Sequence, residues 1–320
     1  MSIVRDVRRL AGFFFIPLLA APSAVQAQPE ALLARASSPL RYQIMTFNLK
    51  FASEGAAHAW HARRRLVRDA ILSQNPDLLG TQEGLYGQLS NIAADLPDYG
   101  WVGQGREGGS RGEFSAIFYK RSKFRVLDHG DFWLSSTPTV PGSRSWGNFV
   151  PRMASWVLFE DKASGARFYH FNTHFDHIMP YARLRGAELL NERIAARAHR
   201  YPVVLTGDFN TGQRGRVHRL LTRQPWNAAG LCDSWDRAPV HEGLGVSTFH
   251  NWRGPQNGGR RIDWILASPD FQCTRARVVL FSEAGQWPSD HFPVSSSFSF
   301  NHEPRVAMKT ARPALAAAYQ

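Results

Sequence analysis

The sequence has few cysteines, a shortage of acidic residues, and no long apolar run beyond its N-terminal segment. Without further apolar runs, or a repeat with a period of about 20 to 50 residues, polytopic membrane proteins and solenoids are excluded. The two cysteines, Cys232 and Cys273, cannot form a structural zinc site alone, because such a site needs about four ligands. They form a disulfide or remain separate thiols, since their separation along the chain does not fix their distance in space. What remains is a globular chain of 320 residues, 43% hydrophobic, with one large domain.

The shortage of acidic residues gives the chain a basic character. There are 38 Lys and Arg residues against 26 Asp and Glu residues, for a formal net charge of +12. A charge of this size predicts attraction to nucleic acids, to phosphorylated small molecules or to an anionic membrane surface. Charge alone does not choose among these three classes of partner.

The N-terminal segment has the layout of a signal peptide. Arginines precede the apolar run 11–25, and small residues up to Ala27 suit a signal peptidase. An uncleaved membrane anchor is the weaker alternative, because Pro17 and Pro22 interrupt a run shorter than the ~20 residues that span a bilayer. We therefore expect a signal peptide over residues 1–27 and a secreted or periplasmic mature protein.

The rest of the chain divides into three parts. A linker is predicted over 28–40, one domain over 41–301, and a flexible tail without amphipathic pattern over 302–320. Within the domain, helical spacing of apolar residues predicts helices over 60–74 and 181–199. Period-2 patterns and turn signals predict strands at 42–47, 78–81, 114–119, 124–133, 153–160, 167–174, 203–206, 262–267, 276–281 and 293–300, with a glycine-rich loop at 103–112. This pattern predicts an α/β fold of packed mixed sheets covered by helices.

Polar residues that suit a cation or a phosphate recur at the predicted strand ends. A strand that stops in a carboxylate or amide delivers that group to the rim of a sheet, where several such groups can converge. Oxygen ligands without nearby thiolates favour Mg²⁺, or Mn²⁺, over zinc. The residues concerned are Asn48, Glu83, His174, Asp176, Asp208, Asn210, Asp263, Asp290 and His291.

These residues stand in motifs that share one order along the chain. The motifs are Met45-Thr46-Phe47-Asn48, Gln82-Glu83, Asn172-Thr173-His174, Gly207-Asp208-Phe209-Asn210, Arg261-Ile262-Asp263-Trp264 and Ser289-Asp290-His291-Phe292-Pro293-Val294. In this order they resemble the endonuclease/exonuclease/phosphatase family of DNase-like, metal-dependent phosphoesterases, from about Tyr42 to Phe300. The resemblance implies a four-layer sandwich, in which two packed mixed β-sheets are flanked by helices.

The resemblance also implies a metal site and a catalytic histidine. It places Glu83, Asn48 and Asp290 at the metal, and it gives His291 the role of acting on the scissile phosphate. Asp290 matches the carboxylate that orients this histidine. Because neighbours in sequence can point apart, Asp263, which matches the aspartate on the late strand, is the alternative partner.

Three further residues are implied to act on the phosphate or on the water. Asp208 matches the aspartate that orients the attacking water or completes the metal site. Asn210 matches the amide that steadies the phosphate, and His174 matches the histidine that contacts it. Phosphoester hydrolysis needs a cation, hydrogen-bond donors and a base, and these residues supply them. Whether Asp208 or a histidine takes the proton stays open.

Other residues have a functional and a structural interpretation. Arg152, Asp176 and Trp146 are predicted to bind substrate. Asp176 would otherwise bond to its own loop, and Trp146 would otherwise cover an edge of the core. The arginines at 63–65 are predicted to form a solvated helix face.

The function predicted from these residues is that of an exported, Mg²⁺-dependent phosphoesterase. A nuclease-like phosphodiesterase is the leading hypothesis, because the positive charge suits a polynucleotide backbone. The alternatives are a phosphatase or sphingomyelinase-type enzyme acting on small or lipid-linked phosphoesters, and a non-catalytic phosphoester-binding module. A phosphodiester substrate is the expected partner, and the protein is expected to be a monomer.

Overall fold

A computed structural model describes residues 39–53, 58–223, 227 and 230–300. The predicted signal peptide and the C-terminal tail lie outside the described residues. The first strand starts at Leu40, one residue before the predicted start of the domain. In the described part of the chain, no helix has the length and apolar character needed to cross a membrane.

The described chain contains thirteen strands and five helices. The strands are β1 (Leu40–Asn48), β2 (Leu78–Gln82), β3 (Tyr99–Val102), β4 (Ile117–Lys120), β5 (Phe124–Trp133), β6 (Met153–Asp161), β7 (Arg167–His174), β8 (Val203–Asp208), β9 (Cys232–Asp233), β10 (His241–Glu242), β11 (Asp263–Ala267), β12 (Phe271–Val278) and β13 (Val294–Phe300). The helices are α1 (Trp60–Gln74), α2 (Tyr86–Asp95), α3 (Pro180–Ala195), α4 (Arg216–Thr222) and α5 (Ser234–Arg237).

The strands form two mixed sheets, which confirms the predicted fold class. The seven-stranded sheet has the order β10-β12-β13-β1-β2-β4-β3, and the six-stranded sheet has the order β5-β6-β7-β8-β11-β9. Parallel pairs, β1 with β2 and β7 with β8, form where α1 and α3 make the crossover. Most other neighbours are antiparallel, and they are joined by turns such as the hairpin between β6 and β7.

Two predicted strands have bounds that are wrong by three residues or more. The strand predicted over 114–119 is β4 at Ile117–Lys120, and the strand predicted over 276–281 is β12 at Phe271–Val278. Phe271, Cys273, Ala276 and Val278 face the core, but a bulge between Cys273 and Arg275 interrupts the alternation. A bulge adds one residue to a strand, so it shifts the period-2 pattern on which the prediction relied. Both cysteines are free thiols.

Apolar side chains alternate along the strands and fill three layers of core. Between the sheets lies an aromatic cluster that includes Tyr42, Phe168 and Phe271. The outer face of the seven-stranded sheet packs under α1 and α2, with contacts such as Val67. The outer face of the six-stranded sheet packs under α3 and α4, with contacts such as Leu190. The order helix, sheet, sheet, helix is therefore the four-layer sandwich that the resemblance implied.

Near the site, the layer between the sheets is polar. Asn172 on β7 donates through Nδ2 to the carbonyl of Thr81 at 2.8 Å, and its Oδ1 accepts from Gln82 Nε2 at 2.7 Å. Thr206 on β8 also donates to Asn172 Oδ1, at 3.0 Å. At the centre is Gly80, where a β-carbon would overlap the side chains of Thr206 and Asn172. Directional hydrogen bonds thus fix the two sheets against each other beneath the site.

The register of the strands brings the predicted site residues to one edge. Asn48 pairs with Gln82 at the ends of β1 and β2, and His174 pairs with Asp208 at the ends of β7 and β8. The antiparallel strand β11 starts at this same edge, with Asp263 opposite Asp208. Parallel strands end at a common edge, so the topology itself creates the cluster.

One of the three arginines predicted to be solvated is buried. Arg64 and Arg65 form surface ion pairs with Asp95 and Asp69, as expected for a solvated face. Arg63 is only 2% exposed. Three successive residues of a helix cover about 200° of its circumference, so one of them readily turns towards the protein. The prediction of a solvated face is therefore wrong for Arg63.

Candidate active site

The strand ends and the loop before β13 surround a cleft of about 370 Å³. Seven predicted site residues line it, and Asn48 and Asp263 form hydrogen bonds to members of this group. The cleft is lined by Lys50, Phe51, Glu83, Arg106, Glu113, Val150, Arg152, His174, His177, Asp208, Asn210, Phe249, Asn251, Ile262, Asp290 and His291. Polar groups from distant parts of the sequence thus face one volume.

His291 is paired with Asp263. Its Nδ1 lies 3.0 Å from Asp263 Oδ2, and its Nε2 lies 3.8 Å from Asp208 Oδ2. Burial acts to lower the pKa of His291, but Asp263, Asp208 and Asp290 outweigh burial and raise it to about 10. In the metal-free protein the imidazole is therefore protonated near neutral pH.

The implied pairing of His291 with Asp290 is wrong. The Asp290 carboxylate faces Lys50, with 3.4 Å between Oδ2 and Nζ, and Asp263 holds the imidazole instead. Asp290 lies in the bend before His291, and its side chain turns to Lys50 while the imidazole turns to Asp263.

Asp208 lies at the centre of the cluster. Its Oδ1 accepts from the backbone N–H of Asn210 at 2.9 Å, and its Oδ2 accepts from Asn48 Nδ2 at 3.0 Å. Burial and the neighbouring charge of Asp263 raise the pKa of Asp208 to about 7. A carboxyl with this pKa gains or loses a proton near neutral pH, which suits a general base.

His174 and Asn210 together offer two hydrogen-bond donors. Arg152 Nη1 lies 2.9 Å from His174 Nδ1, and burial with the charge of Arg152 holds the pKa of His174 well below its usual value. A guanidinium can only donate, so Nδ1 accepts and the proton of the neutral ring is on Nε2. This Nε2 lies 3.0 Å from the Asn210 Nδ2 donor. Asn210 Nδ2 also donates to the carbonyl of Phe175 at 3.0 Å, and His174 Nε2 lies 3.6 Å from Asp208 Oδ2. Both donors border the cleft, where a phosphate oxygen can accept from them.

A position for a cation lies between Glu83 and Asp290. Lys50 Nζ is 3.9 Å from Glu83 Oε2 and 3.4 Å from Asp290 Oδ2, so an ammonium stands where two carboxylates converge. Burial acts to raise the pKa of Glu83, but Lys50 and His291 outweigh burial and hold it below its usual value. The two carboxylates fit a hard divalent cation, and Lys50, with a third of its side chain exposed, can give way to one.

Asn48 connects the two sides of the site. Its Oδ1 accepts from the backbone N–H of Lys50 at 3.0 Å, and its Nδ2 donates to both Glu83 and Asp208 at 3.0 Å. The amide group therefore orients the two carboxylates, and one lone pair of its oxygen is left for a cation. The role of Asn48 as a metal ligand stays a prediction.

Two predicted substrate-binding residues lie outside the cleft lining. Asp176 accepts through Oδ1 from the backbone N–H groups of Ile178 and Met179, where the chain enters α3. The Trp146 ring lies 5.6 Å from the guanidinium carbon of Arg185 on α3. For Asp176 the structural alternative describes the observed contacts, whereas Trp146 contacts the exposed side chain of Arg185 and neither of its two interpretations is tested. Arg152, the third one, does line the cleft.

The cleft has a polar wall formed by Arg106, Glu113, Arg152 and His177, of which the sequence interpretation had predicted only Arg152. Arg106 Nη1 lies 2.7 Å from Glu113 Oε2, and Arg152 Nη2 lies 2.8 Å from His177 Nδ1. Burial raises the pKa of Glu113. Within the described residues, the buried Nε atoms of Arg106 and Arg152 have no hydrogen-bond partner. The only signal in the sequence was the glycine-rich loop 103–112, which carries Arg106 to the cleft.

The sequence matches the Endonuclease/Exonuclease/phosphatase family over residues 45–291. The chain belongs to this family. The suspected resemblance is thereby confirmed, and it is a family of divalent-metal-dependent hydrolases acting on phosphoesters.

Similar proteins, two of known structure and one matched by sequence, agree with this assignment. A family protein from Bacteroides thetaiotaomicron is 34% identical, with a TM-score of 0.76 over 83% of this chain and 100% of that one. The mannosyl-6-phosphatase Bt3783 of Bacteroides thetaiotaomicron is also 34% identical, with a TM-score of 0.73 over 81% of this chain and 100% of that one. Nocturnin from Rattus norvegicus is 22% identical over 269 residues, which are 77% of this chain and 60% of Nocturnin. The chain spans about three fifths of the length of the curated relatives that it matches.

Proposed function

We propose that the chain is a Mg²⁺-dependent phosphatase that removes a terminal phosphate from a small hydroxylated molecule such as a sugar. The observation that carries this proposal is the polar wall beside His174. A terminal phosphate has a charge of about −1.5 to −2 near neutral pH, more than a phosphodiester has. Arg106 and Arg152 line the cleft with two guanidinium groups, which supply the additional positive charge for it.

The size of the cleft and one relative support a small substrate. A volume of about 370 Å³ is near the lower end of the range of about 300 to 1,000 Å³ for small-molecule sites. The Glu113 carboxylate can accept hydrogen bonds from sugar hydroxyls. The mannosyl-6-phosphatase, 34% identical, acts on a phosphorylated sugar by its name.

The residues of the cleft divide the chemistry between them. Asp208, with its pKa of about 7, takes the proton of the attacking water. His291, protonated and held by Asp263, supplies a proton to the leaving oxygen. His174 and Asn210 donate to a phosphate oxygen as negative charge develops. Mg²⁺, held by Glu83 and Asp290, would neutralise charge on the phosphate.

Nuclease-like hydrolysis of a phosphodiester is the second candidate function. It is favoured by exposed arginines near the loop that follows Asn210. Arg260 packs over Gly212, and Arg219 donates to the carbonyl of Arg214. The exposed arginines of this surface are Arg214, Arg216, Arg219, Arg223 and Arg260. Within the described part of the chain, none of them forms an ion pair with a carboxylate. Such a surface can track a polynucleotide backbone.

We also propose export of the protein, on the basis of its first 27 residues. N-terminal sequencing of the secreted protein should find Gln28 first, whereas a retained Met1 in a membrane fraction would contradict export.

A substrate panel with matched variants tests the phosphatase proposal. The substrates are hexose 6-phosphates, p-nitrophenyl phosphate, bis(p-nitrophenyl) phosphate, sphingomyelin, plasmid DNA and single-stranded RNA, each with Mg²⁺ and with chelator. We expect the phosphomonoesters to be hydrolysed fastest and the chelator to stop turnover. Glu113→Gln should raise KM for the hexose phosphate by about 10- to 100-fold, because it removes hydrogen bonds from sugar hydroxyls to a charged group. The increase for p-nitrophenyl phosphate, which has no sugar hydroxyls, should be smaller.

The second candidate predicts a different result. Arg214→Ala combined with Arg216→Ala should slow the cleavage of plasmid DNA or RNA, and should leave hexose phosphate hydrolysis at the parent rate. The nuclease hypothesis would replace the phosphatase proposal if the parent hydrolyses nucleic acid faster than any monoester and the double variant cleaves it more slowly than the parent. Binding of phosphoesters without turnover of any substrate would favour the binding module.

A further inference from the structure

Arg63 is a buried guanidinium whose hydrogen bonds all go to backbone carbonyls. Its Nε donates to the carbonyl of His58 at 2.8 Å, and its Nη2 donates to that of Lys50 at 2.6 Å. Its Nη1 donates to the carbonyls of Leu49 at 2.6 Å and Pro288 at 2.7 Å. A rigid fork of donors thus joins α1 to two loops that are distant in sequence.

The first loop is held between Arg63 and the metal side of the cleft. The carbonyls of Lys50 and Phe51 accept from Arg63. The N–H of Lys50 donates to Asn48 Oδ1 at 3.0 Å, and the N–H of Phe51 donates to Glu83 Oε2 at 3.2 Å. Each of the two residues therefore links Arg63 to a side chain of the site.

The second loop links Arg63 to the catalytic histidine. Pro288 accepts from Arg63 through its carbonyl, and the next residue is Ser289. Ser289 Oγ donates to the carbonyl of Asn48 at 2.7 Å and accepts from the backbone N–H of His291 at 3.3 Å. The position of His291 thus depends on the segment that Arg63 holds.

The first loop and Glu83, which it contacts, contain backbone that needs such support. Lys50 has a φ of 54° and Glu83 a φ of 61°, both in the left-handed region that disfavours residues with a β-carbon. Conformations of this kind persist where surrounding contacts over-determine them. The contacts of Arg63 on either side of Lys50 supply that constraint, so without them we expect the segment to relax.

We propose that Arg63 is a positioning residue of the metal centre, which fixes residues 49–51 and 288–289 and thereby the places of Glu83 and His291. The inference rests on the metal centre proposed at Glu83. Lysine cannot replace Arg63 in this role, because its single ammonium group cannot reach carbonyls on three segments at once.

Metal binding in the absence of substrate tests the inference. The free Mn²⁺ signal in electron paramagnetic resonance gives the Mn²⁺ affinity of the parent, Arg63→Met and Arg63→Lys, and thermal melting gives their stability. We expect both variants to bind Mn²⁺ about 10- to 100-fold more weakly, as is usual when support for metal ligands is lost. Arg63→Lys keeps the charge and most of the bulk of the side chain, so we expect it to fold. It serves as the test variant if Arg63→Met fails to fold.

Two controls separate positioning from packing. Arg65→Ala changes an exposed arginine of the same helix and should bind Mn²⁺ like the parent. Leu190→Ala lowers the melting temperature by opening the core under α3, away from the cleft, and should also keep the parent affinity. A third variant, Arg63→Ala, leaves space for a free guanidinium ion. Millimolar guanidinium should restore the Mn²⁺ affinity of Arg63→Ala, because the free ion can bind to the same carbonyls, and it should not affect Leu190→Ala.

The outcomes distinguish the inference from the metal centre itself. A lower melting temperature with unchanged Mn²⁺ affinity in both Arg63 variants would overturn the positioning role. Glu83→Gln is measured alongside them. Weak Mn²⁺ binding by Glu83→Gln but not by the Arg63 variants overturns only the inference, whereas parent affinity in Glu83→Gln overturns the metal centre.

Discussion

Two buried histidine–aspartate pairs in this molecule have similar geometry and different surroundings. In the cleft, His291 Nδ1 lies 3.0 Å from Asp263 Oδ2. Away from the cleft, His218 Nε2 lies 2.9 Å from Asp233 Oδ2. Each pair belongs to a group of acidic and histidine residues whose ligand atoms lie within 4.8 Å of one another. Distance therefore does not tell a reactive cluster from a structural one.

The balance of charge does separate them. Asp233 also accepts from Arg261 Nη2 at 2.7 Å, and although burial acts to raise its pKa, Arg261 and His218 lower it to about 2. Within the described residues, Asp208 and Asp263 form no ion pair with an arginine or lysine, and the pKa of Asp208 is raised to about 7. A balanced cluster stabilises the fold, whereas an excess of carboxylates needs a cation or a proton.

The sharpest way to break this comparison is to remove each histidine in turn. His291→Gln should lower kcat for a phosphomonoester by about 10²- to 10⁴-fold, the usual contribution of general acid–base catalysis, even when turnover is counted per folded molecule. His218→Gln should melt earlier and keep its turnover per folded molecule. Steady-state kinetics on protein shown to be folded by circular dichroism checks both. Equal losses of kcat in the two variants would show that the clusters do not differ in role.

Removal of the shared carboxylate in the balanced cluster should affect stability alone. Asp233→Ala leaves the Arg261 guanidinium buried without its partner, so the free energy of unfolding should fall by about 3 to 5 kcal/mol in urea denaturation. Asp236→Ala changes the exposed aspartate of the same group and should stay within about 0.5 kcal/mol of the parent. A decrease as small as that of Asp236→Ala would mean that Asp233 is not the centre of a balanced cluster.

The two clusters should also tilt the pH dependence of stability in opposite directions in the metal-free protein. The raised pKa values of His291 and Asp208 contribute stability that is present at low pH. It is lost as pH rises through about 7 for Asp208 and about 10 for His291. The lowered pKa of Asp233 contributes stability at every pH above the pKa of this carboxyl in the unfolded chain. That stability is lost only as pH falls through about 2. Melting temperatures in chelator should therefore fall from pH 6 to pH 10 in the parent and less steeply in His291→Gln. A parent curve without this slope would contradict the assignment.

The sequence was sufficient for the parts of the site that depend on strand ends. Asn48, His174, Asp208 and Asp263 each end or begin a strand, so a topology with parallel pairs necessarily brings them together. Pairings within the cluster were not predictable in the same way. Whether His291 turns to Asp263 or Asp290 depends on side-chain direction, which two adjacent polar residues in a loop do not reveal.

Residues that reach the site from loops and helices were harder to find. Arg106 and Glu113 lie within or beside a glycine-rich stretch, where composition predicts a loop but not its direction. Arg63 is one of three consecutive arginines, and hydrophobic periodicity treats all three as surface residues. Its burial follows from carbonyl partners in two separate loops, which only the folded chain brings within reach.

The pairing of β1 with β13 determines where fused or tethered parts can leave the domain. Leu40 lies opposite Phe300, so the two ends of the described domain are neighbours in one sheet. Asn48 marks the cleft end of the same strand, roughly 26 Å along β1 at about 3.3 Å per residue. An affinity tag, a surface tether or a second domain attached at either end would therefore start from the side opposite the cleft. Immobilised enzyme should keep its entrance open, and a circular permutant could join residues 40 and 300 through a short linker.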